Sequence, residues 1–323
     1  MNALRGARIL MTGGTGSFGR AFTRAILALP VKRVVIFSRD ELKQHEMRQE
    51  FIDERLRFFI GDVRDRERVK RAMVGIDIVI HAAAMKQVPT CEYDPDEAIK
   101  TNVLGTMNVV SCAIERGVKR VIGLSSDKAV SPINTYGKTK ALLESLMVQG
   151  NVYAASEPTR FACVRYGNVV GSRGSVVPLF KLQAERGYIT LTDIRMTRFW
   201  ITLQQGVDLV LRALDEMQGG EIFVPQIPSM RLMDLARAMA PTCRIDFTGI
   251  RPGEKLHECL INEDEARRTT HIDGGFIIWP EFPLWHDKPK RRGESLPSGF
   301  SYRSDTNDEW LTIEQLRGMI NDE

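Results

Sequence analysis

The stretch Ser125-Ser-Asp-Lys-Ala-Val-Ser-Pro-Ile-Asn-Thr-Tyr-Gly-Lys-Thr-Lys140 gathers an acid, Asp127, a phenol, Tyr136, and three amines, of which Lys128 and Lys140 stand beside the acid and in register with the phenol. Tyr136 and Lys140 stand four residues apart, so on a helix they share one face. An ammonium close to a phenol and to the positive ring of a bound cofactor favours phenolate, lowering the tyrosine pKa from its reference near 10. Tyr136 is thereby a candidate base for a sugar or alcohol hydroxyl. Asp127 and Lys128 follow the apolar run Arg120-Val-Ile-Gly-Leu124, which reads as a buried parallel strand. They stand at its carboxyl end, where open α/β sheets bind ligands. An acid, a second amine and a tyrosine–lysine pair are more chemistry than a single oxidation needs. Tyr-x-x-x-Lys alone is also common on solvated helix faces, so its meaning depends on the elements that position it.

Those elements begin with the apolar run Arg8–Thr12, the loop Gly13-Gly-Thr15-Gly16-Ser17-Phe18-Gly19, and an amphipathic stretch from Arg20 to Leu29 closed by Pro30. Glycines at 13, 16 and 19 between a strand and a helix predict a tight turn, a close approach of backbone to a pyrophosphate, and close helix–strand packing. The helix N-terminus then offers N–H groups to phosphate. A second strand, Arg33–Phe37, ends in Ser38-Arg39-Asp40. A hydroxyl followed by a guanidinium suits the 2′-phosphate of NADP. Asp40 reads equally as the cap of the next helix, Glu41 to Phe51, or as a contact to the ribose of NAD. A third strand, Leu56–Ile60, precedes Gly61-Asp62-Val63, where Asp62 would meet the adenine amino group or cap a helix. A fourth, Ile76–His81, ends in Ala82, Ala83 and Ala84, small enough to let a cofactor lie against the sheet. Lys86 reads as a phosphate or substrate contact or as an exposed lysine, and His81 as a satisfied strand-end histidine. A long helix from Asp94 to Arg116 would carry a buried Asn102, one from Tyr136 to Gln149 the tyrosine–lysine pair, and Phe161–Tyr166 a sixth strand.

Alternating strands and helices over residues 7 to 167 predict an α/β fold with a doubly wound parallel sheet. We expect residues 1–167 to form a dinucleotide-binding domain. Residues 168–323, with the polar loop 168–175 and prolines at 178, 225, 228, 241 and 252, are expected to form a smaller C-terminal substrate-binding region interleaved with the sheet. Arg195, Arg198 and Arg251 place cations there, fit for a diphosphate if they converge on a cleft. In a chain of 323 residues a net charge of +4 does not point to nucleic acid, and the basic run Lys288–Arg292 lacks interleaved aromatics. Five scattered cysteines without a C-x-x-C pair fit a reducing, cytoplasmic setting. No signal-peptide pattern opens the chain, no apolar run suits a membrane helix, and the histidines show no metal-ligand spacing.

The Gly13–Gly19 loop, Tyr136-x-x-x-Lys140 and Arg165-x-x-Asn168-Val169-x-Gly171 resemble the extended short-chain dehydrogenase/reductase family, whose fold is the Rossmann type. Longer segments are similar to its inverting UDP-N-acetylglucosamine 4,6-dehydratases, in the flagellin-sugar branch that opens pseudaminic acid synthesis. These are Ser38–Gln44, Phe58–Asp65, Ser126–Ala129, Arg165–Pro178, Asp193–Thr202 and Arg251–Glu258. The resemblance implies NADP as cofactor, UDP-N-acetylglucosamine as substrate and a homo-oligomer. It implies that Tyr136, held by Lys140, takes the 4-hydroxyl proton as hydride leaves C4, and that Ser126 orients the substrate. Lys128 then removes the C5 proton, Asp127 protonates the departing 6-hydroxyl, and hydride returns to C6. Reprotonation of C5 from the opposite face inverts it. Lys128 must act neutral, which calls for a depressed pKa, and Asp127 protonated, which calls for a raised one. Retaining dehydratases carry Asp-Glu where this chain has Asp127-Lys128. Asn168, Arg251, Glu254 and Thr192 are implied to hold UDP or its sugar. A 4-epimerase or 4-reductase, and a non-catalytic NADP-binding regulator, are the alternatives.

Overall fold

The computed structural model describes residues 2–155, 157–171, 175–285 and 287–321. Its first half alternates β1 (Arg8–Thr12), α1 (Ser17–Leu27), β2 (Arg33–Ser38), α2 (Glu41–Glu50), β3 (Leu56–Ile60), α3 (Arg66–Ala72) and β4 (Ile78–His81). Then come α4 (Val88–Tyr93), α5 (Pro95–Ile99), α6 (Gly105–Glu115), β5 (Arg120–Ser126), α7 (Thr135–Ala154) and β6 (Arg160–Tyr166). These strands pair in parallel in the order β3-β2-β1-β4-β5-β6. Residues 9–11, 34–37, 78–81 and 121–125 are buried without alternation, as strands covered by helices on both faces must be. The order reverses between β1 and β4, so a crevice opens beyond their carboxyl ends.

The second half both extends the sheet and builds beside it. Ile222–Pro225 adds parallel to β6, and Gly275–Ile278, Thr269–Ile272 and Glu294–Ser295 continue antiparallel. A separate apolar core holds Phe180, Leu191, Met196, Trp200, Met230 and Leu316. Around it lie the parallel pair Tyr188–Leu191 with Arg244–Phe247, and a small sheet of Ser229–Arg231, Thr197–Ile201 and Asn168–Val169. The first residues of the predicted polar loop are therefore strand. Ser172, Arg173 and Gly174 of that loop lie outside the described residues. Among the described residues no helix is long and apolar enough to cross a membrane.

The long helix expected from Asp94 to Arg116 is interrupted. A π-helical turn at Lys100–Leu104 joins α5 to α6 and buries Thr101 and Asn102. Asn102 accepts from the Met85 N–H (2.8 Å) and donates to the Met85 carbonyl (2.9 Å) and to Thr139 (2.9 Å). Widened turns of this kind recur at functional sites. Here one ties the segment after β4 to α7, because Thr139 in turn donates to the Tyr136 carbonyl at 2.8 Å.

Candidate active site

Two clefts are lined in part by residues that follow the carboxyl ends of the sheet strands. The first, about 210 Å³, is lined by Gly13, Thr15, Ser38, Arg39, Lys43, Asp62, Val63, Ala83 and Ala84, with Asp40 and Thr101 among the rest. Gly13 has φ +67°, and a Cβ there would lie 2.8 Å from the Ala83 backbone, so only glycine permits this approach of the loop to the end of β4. Gly16 precedes α1 without a side-chain cap bond, which leaves the helix start open to an anion. Ser17, Phe18 and Gly19 form the first turn of α1, and Ala82 follows β4. Thr15 and Ser38 share a 2.9 Å hydroxyl contact, and Arg39 reaches Asp62 at 3.4 Å. Asp40 caps α2, accepting from the Lys43 N–H at 3.0 Å and pairing with its ammonium. The cap alternative is the one realised. Asp62 is held below the usual carboxylate range: burial opposes this, but hydrogen bonds from Arg64 outweigh it.

His81 is buried between Thr12 (2.8 Å) and Thr106 (3.0 Å), and burial pushes its pKa down to about 3. Thr106 donates its hydroxyl proton to the Asn102 carbonyl, so it accepts from Nε2–H of a neutral imidazole. The residue is thus a satisfied strand-end histidine.

The second cluster forms where β5 ends. Ser126 accepts from the Lys128 N–H (3.1 Å), turning Asp127–Ala129 into a single 3₁₀ turn. Asn134 caps α7 by accepting from the Gly137 N–H at 2.7 Å. A Cβ at Gly137 would overlap the Lys128 carbonyl, so glycine lets α7 start against that turn. Between them Ser131 takes a left-handed φ of +42°, strain of the kind kept at functional loops. Asp127 is fully buried; its Oδ1 accepts from Lys128 Nζ at 3.0 Å while Oδ2 has no partner among the described residues. The Lys128 ammonium also faces Glu258 Oε1 at 3.5 Å. Arg198 stands 3.8 Å from that oxygen and 3.6 Å from Glu254. Carboxylates and cations thus alternate through Asp127, Lys128, Glu258, Arg198 and Glu254.

The electrostatics correct two expectations. Burial favours the neutral amine of Lys128, but Asp127 and Glu258 outweigh it and raise its pKa above the ordinary value. The resting group is an ammonium rather than a free base. Tyr136 is also raised, not lowered: burial dominates over Lys128 and the hydrogen bond with Ser126, which pull the other way. The cation that acts on the phenol is Lys128. Lys140 instead donates to the Leu124 carbonyl at 2.6 Å, and burial brings its pKa down to about 8. Asp127 is raised, chiefly by burial, the direction an acid requires.

Beyond this cluster opens a cleft of about 560 Å³, lined in part by Asn168, Thr192, Arg198, Arg251 and Glu254. Asn168 Oδ1, Ser175 Oγ and Glu254 Oε2, from residues of this lining, are buried without partners among the described residues. Thr192 donates to the Met196 sulfur at 2.8 Å. Lys86 is exposed and does not line the cleft, whereas its neighbour Gln87 does. Arg195 is tied to Asp193 at 2.7 Å on the surface, away from this lining. The residues 251–255 are latched onto the segment between β5 and α7, since Asn134 donates to the Gly253 carbonyl (2.8 Å) and Lys255 to that of Val130 (2.5 Å). Sequence reasoning assigned no role to Glu258, Lys43, Ser175 or Gln87. For Glu258 no local pattern could have done so, because its partners are far along the chain.

Known proteins share this chain's sequence and shape. The family described as polysaccharide biosynthesis protein matches residues 9–280. A Campylobacter jejuni protein named UDP-N-acetylglucosamine 4,6-dehydratase (inverting) is 48% identical, covering 98% of each chain. A Rickettsia rickettsii protein named UDP-glucose 4-epimerase is 47% identical over 82% of this chain and 80% of its own. The crystal structure of Pen from Bacillus thuringiensis superposes with a TM-score of 0.89 at 39% identity, covering 99% of both chains.

Proposed function

This chain belongs to the polysaccharide biosynthesis protein family, and from that premise we propose that it is an inverting UDP-N-acetylglucosamine 4,6-dehydratase. The observation that carries the reading is the pairing of buried Asp127 with partly buried Lys128, bonded at 3.0 Å beside Tyr136. An acid and a base side by side serve a reaction that removes a proton from C5 and a hydroxyl from C6.

The first cleft suits a dinucleotide: the glycine turn and open α1 start meet its pyrophosphate, and Ala82–Ala84 leave room for it against the sheet. Asp62 and Val63 line the adenine side. NADP is favoured over NAD because Asp40 is engaged at the α2 cap while Ser38, Arg39 and Lys43 line the ribose side. When bound, the oxidised cofactor would supply hydride acceptance from C4 and hydride return to C6, and its positive ring would add to Lys128 in drawing Tyr136 toward phenolate. Tyr136 accepts the 4-hydroxyl proton, and Ser126 holds that hydroxyl in place. The C4 ketone acidifies the C5 hydrogen.

One proton transfer along the Lys128–Asp127 hydrogen bond turns the resting ion pair into a neutral amine and a carboxylic acid. That is the protonation state elimination needs, reached without exchange with solvent. Lys128 then takes the C5 proton, Asp127 gives its proton to the departing 6-hydroxyl, and water leaves with the ion pair restored. As hydride returns to C6, a solvent-derived proton added to C5 on the opposite face would give the L-configured 4-keto-6-deoxy product, fit for a pseudaminic acid-type sugar. Asn168, Thr192, Arg251 and Glu254 hold the UDP-sugar in the second cleft, with Lys86 next in sequence to its lining residue Gln87. Residues 1–167 thus serve mainly the cofactor and residues 168–323 mainly the sugar nucleotide, in a cytoplasmic homo-oligomer.

The Rickettsia rickettsii relative, named as a UDP-glucose 4-epimerase, favours a second reading, 4-epimerisation. Incubation with UDP-N-acetylglucosamine in deuterated water, followed by mass spectrometry and proton NMR, separates the two. Loss of one water with deuterium at C5 of an L-sugar is the expected result. An unchanged mass with a 4-epimer would overturn it.

A further inference from the structure

Glu258 is buried at 3% exposure, yet its carboxylate receives no backbone N–H among the described residues, and its Oε2 has no partner. Its backbone is fixed independently of that side chain. The Glu258 N–H donates to Ser304 Oγ at 2.9 Å, the Ser304 N–H donates back to the Glu258 carbonyl at 2.9 Å, and Ser304 Oγ meets Thr197 Oγ at 2.7 Å. Arg198, next to Thr197 on the same scaffold, is likewise anchored by donating to the carbonyls of Thr197 (2.7 Å) and Leu256 (3.0 Å). The second half of the chain therefore holds one carboxylate and one guanidinium rigidly against a catalytic pair supplied by the first half. A carboxylate serving only the fold would be satisfied by donors of its own. This one directs its closest approach to the amine of Lys128, 3.5 Å away.

On the dehydratase reading, we infer that Glu258 is a positioning residue for the elimination step: it steadies the Lys128 amine beside Asp127 and sets how many protons the Asp127–Lys128 pair carries. Every charged group facing the pair enters this balance. Glu258 raises the proton affinity of both members, Arg198 lowers it for both, and the Tyr136 phenol adjoins them. Facing Glu258 are Lys128, Arg198 and Lys255, which together keep it ionised against the effect of burial. Glu254 faces Arg198 from the cleft. The working pair shares one proton. A second proton blocks the base, and loss of the shared proton removes the acid. Because Glu258 is negative, removing its charge lowers the proton affinity of the pair, and both limbs of the bell must move toward acid.

The test is the pH profile of kcat/KM for water loss from UDP-N-acetylglucosamine in wild type, Glu258→Gln and Glu258→Asp. Glu258→Gln is expected to shift both limbs to lower pH by about one unit, as loss of a charge within ~4–6 Å does. Glu258→Asp keeps the charge one methylene further back and should place both limbs between those of wild type and Glu258→Gln. If Glu258→Gln fails to fold, an acid shift in Glu258→Asp relative to wild type supports the inference in its place. Rates that fall at every pH with unmoved limbs mean a merely structural role and overturn the inference. Absence of water loss in the wild type overturns the dehydratase reading instead, so the two failures are distinguishable.

Discussion

The cofactor cleft and the sugar cleft both draw on residues that follow strand ends of the sheet but are built on opposite plans. The first is a shape: the short loop Gly13–Gly16, a tight glycine turn and strand-end alanines, with its charged side chains paired locally, Asp40 with Lys43 and Asp62 with Arg39 and Arg64. The second borders an unbalanced charge array, to which its own Arg198 and Glu254 belong. Among the described residues, every buried carboxylate oxygen without a hydrogen-bond partner belongs to that array: Asp127 Oδ2, Glu254 Oε2 and Glu258 Oε2. Such atoms are destabilising unless something else binds them. A cleft that recognises a constant ligand can be satisfied before the ligand arrives, whereas one that moves protons on a sugar must keep acceptors open.

If the two plans are separable, the largest effect should come from removing the amine of the charge array. Lys128→Ala is expected to slow dehydration by about 10²–10⁴-fold, the usual worth of a positioned acid–base group. Cofactor affinity, followed by fluorescence titration, should stay at the wild-type value. A parallel collapse of cofactor binding would show that the clefts form one cooperative unit and break the comparison.

The same difference explains what could be read from the chain alone. The cofactor cleft is written in contiguous residues: Gly13 must be glycine where the backbone of Ala83 comes close, and strand runs buried on both faces announce the parallel sheet. Tyr136, Lys140, Asp127 and Lys128 were legible as types at the end of β5. Their ionisation was not, because it is set by burial and by groups that only folding brings near. Glu258 raises the Lys128 pKa from far along the chain, and Lys140 turns to the Leu124 carbonyl instead of to the phenol. The π turn holding Asn102 escaped for a similar reason, since its stabilising partners are Met85 and Thr139 and not its helical neighbours.

A smaller effect should appear on the cofactor side. Arg39→Ala removes one charge-assisted contact to a 2′-phosphate, worth about 1.5–3 kcal/mol, so NADP affinity should fall roughly ten- to a hundredfold. NAD affinity should hold, and water loss at saturating NADP should match wild type. Equal losses for NADP and NAD would place Arg39 on a part of the cofactor common to both.

The smallest effect belongs to Asn134, where the two plans touch. Its Oδ1 caps the catalytic helix α7 by accepting from the Gly137 N–H, and its Nδ2 donates to the Gly253 carbonyl beside Arg251 and Glu254. Asn134→Ala loses both and should cost about 1 kcal/mol of stability, the typical worth of a cap, together with a severalfold rise in KM for the UDP-sugar. Asn134→Asp divides the two roles, because a carboxylate still accepts from Gly137 but has no proton for Gly253. Thermal unfolding of Asn134→Asp should therefore stay near wild type while KM rises as in Asn134→Ala. If stability and KM move together in both variants, the cap itself positions the 251–255 segment, and the boundary between cofactor side and sugar side runs through α7 rather than beside it.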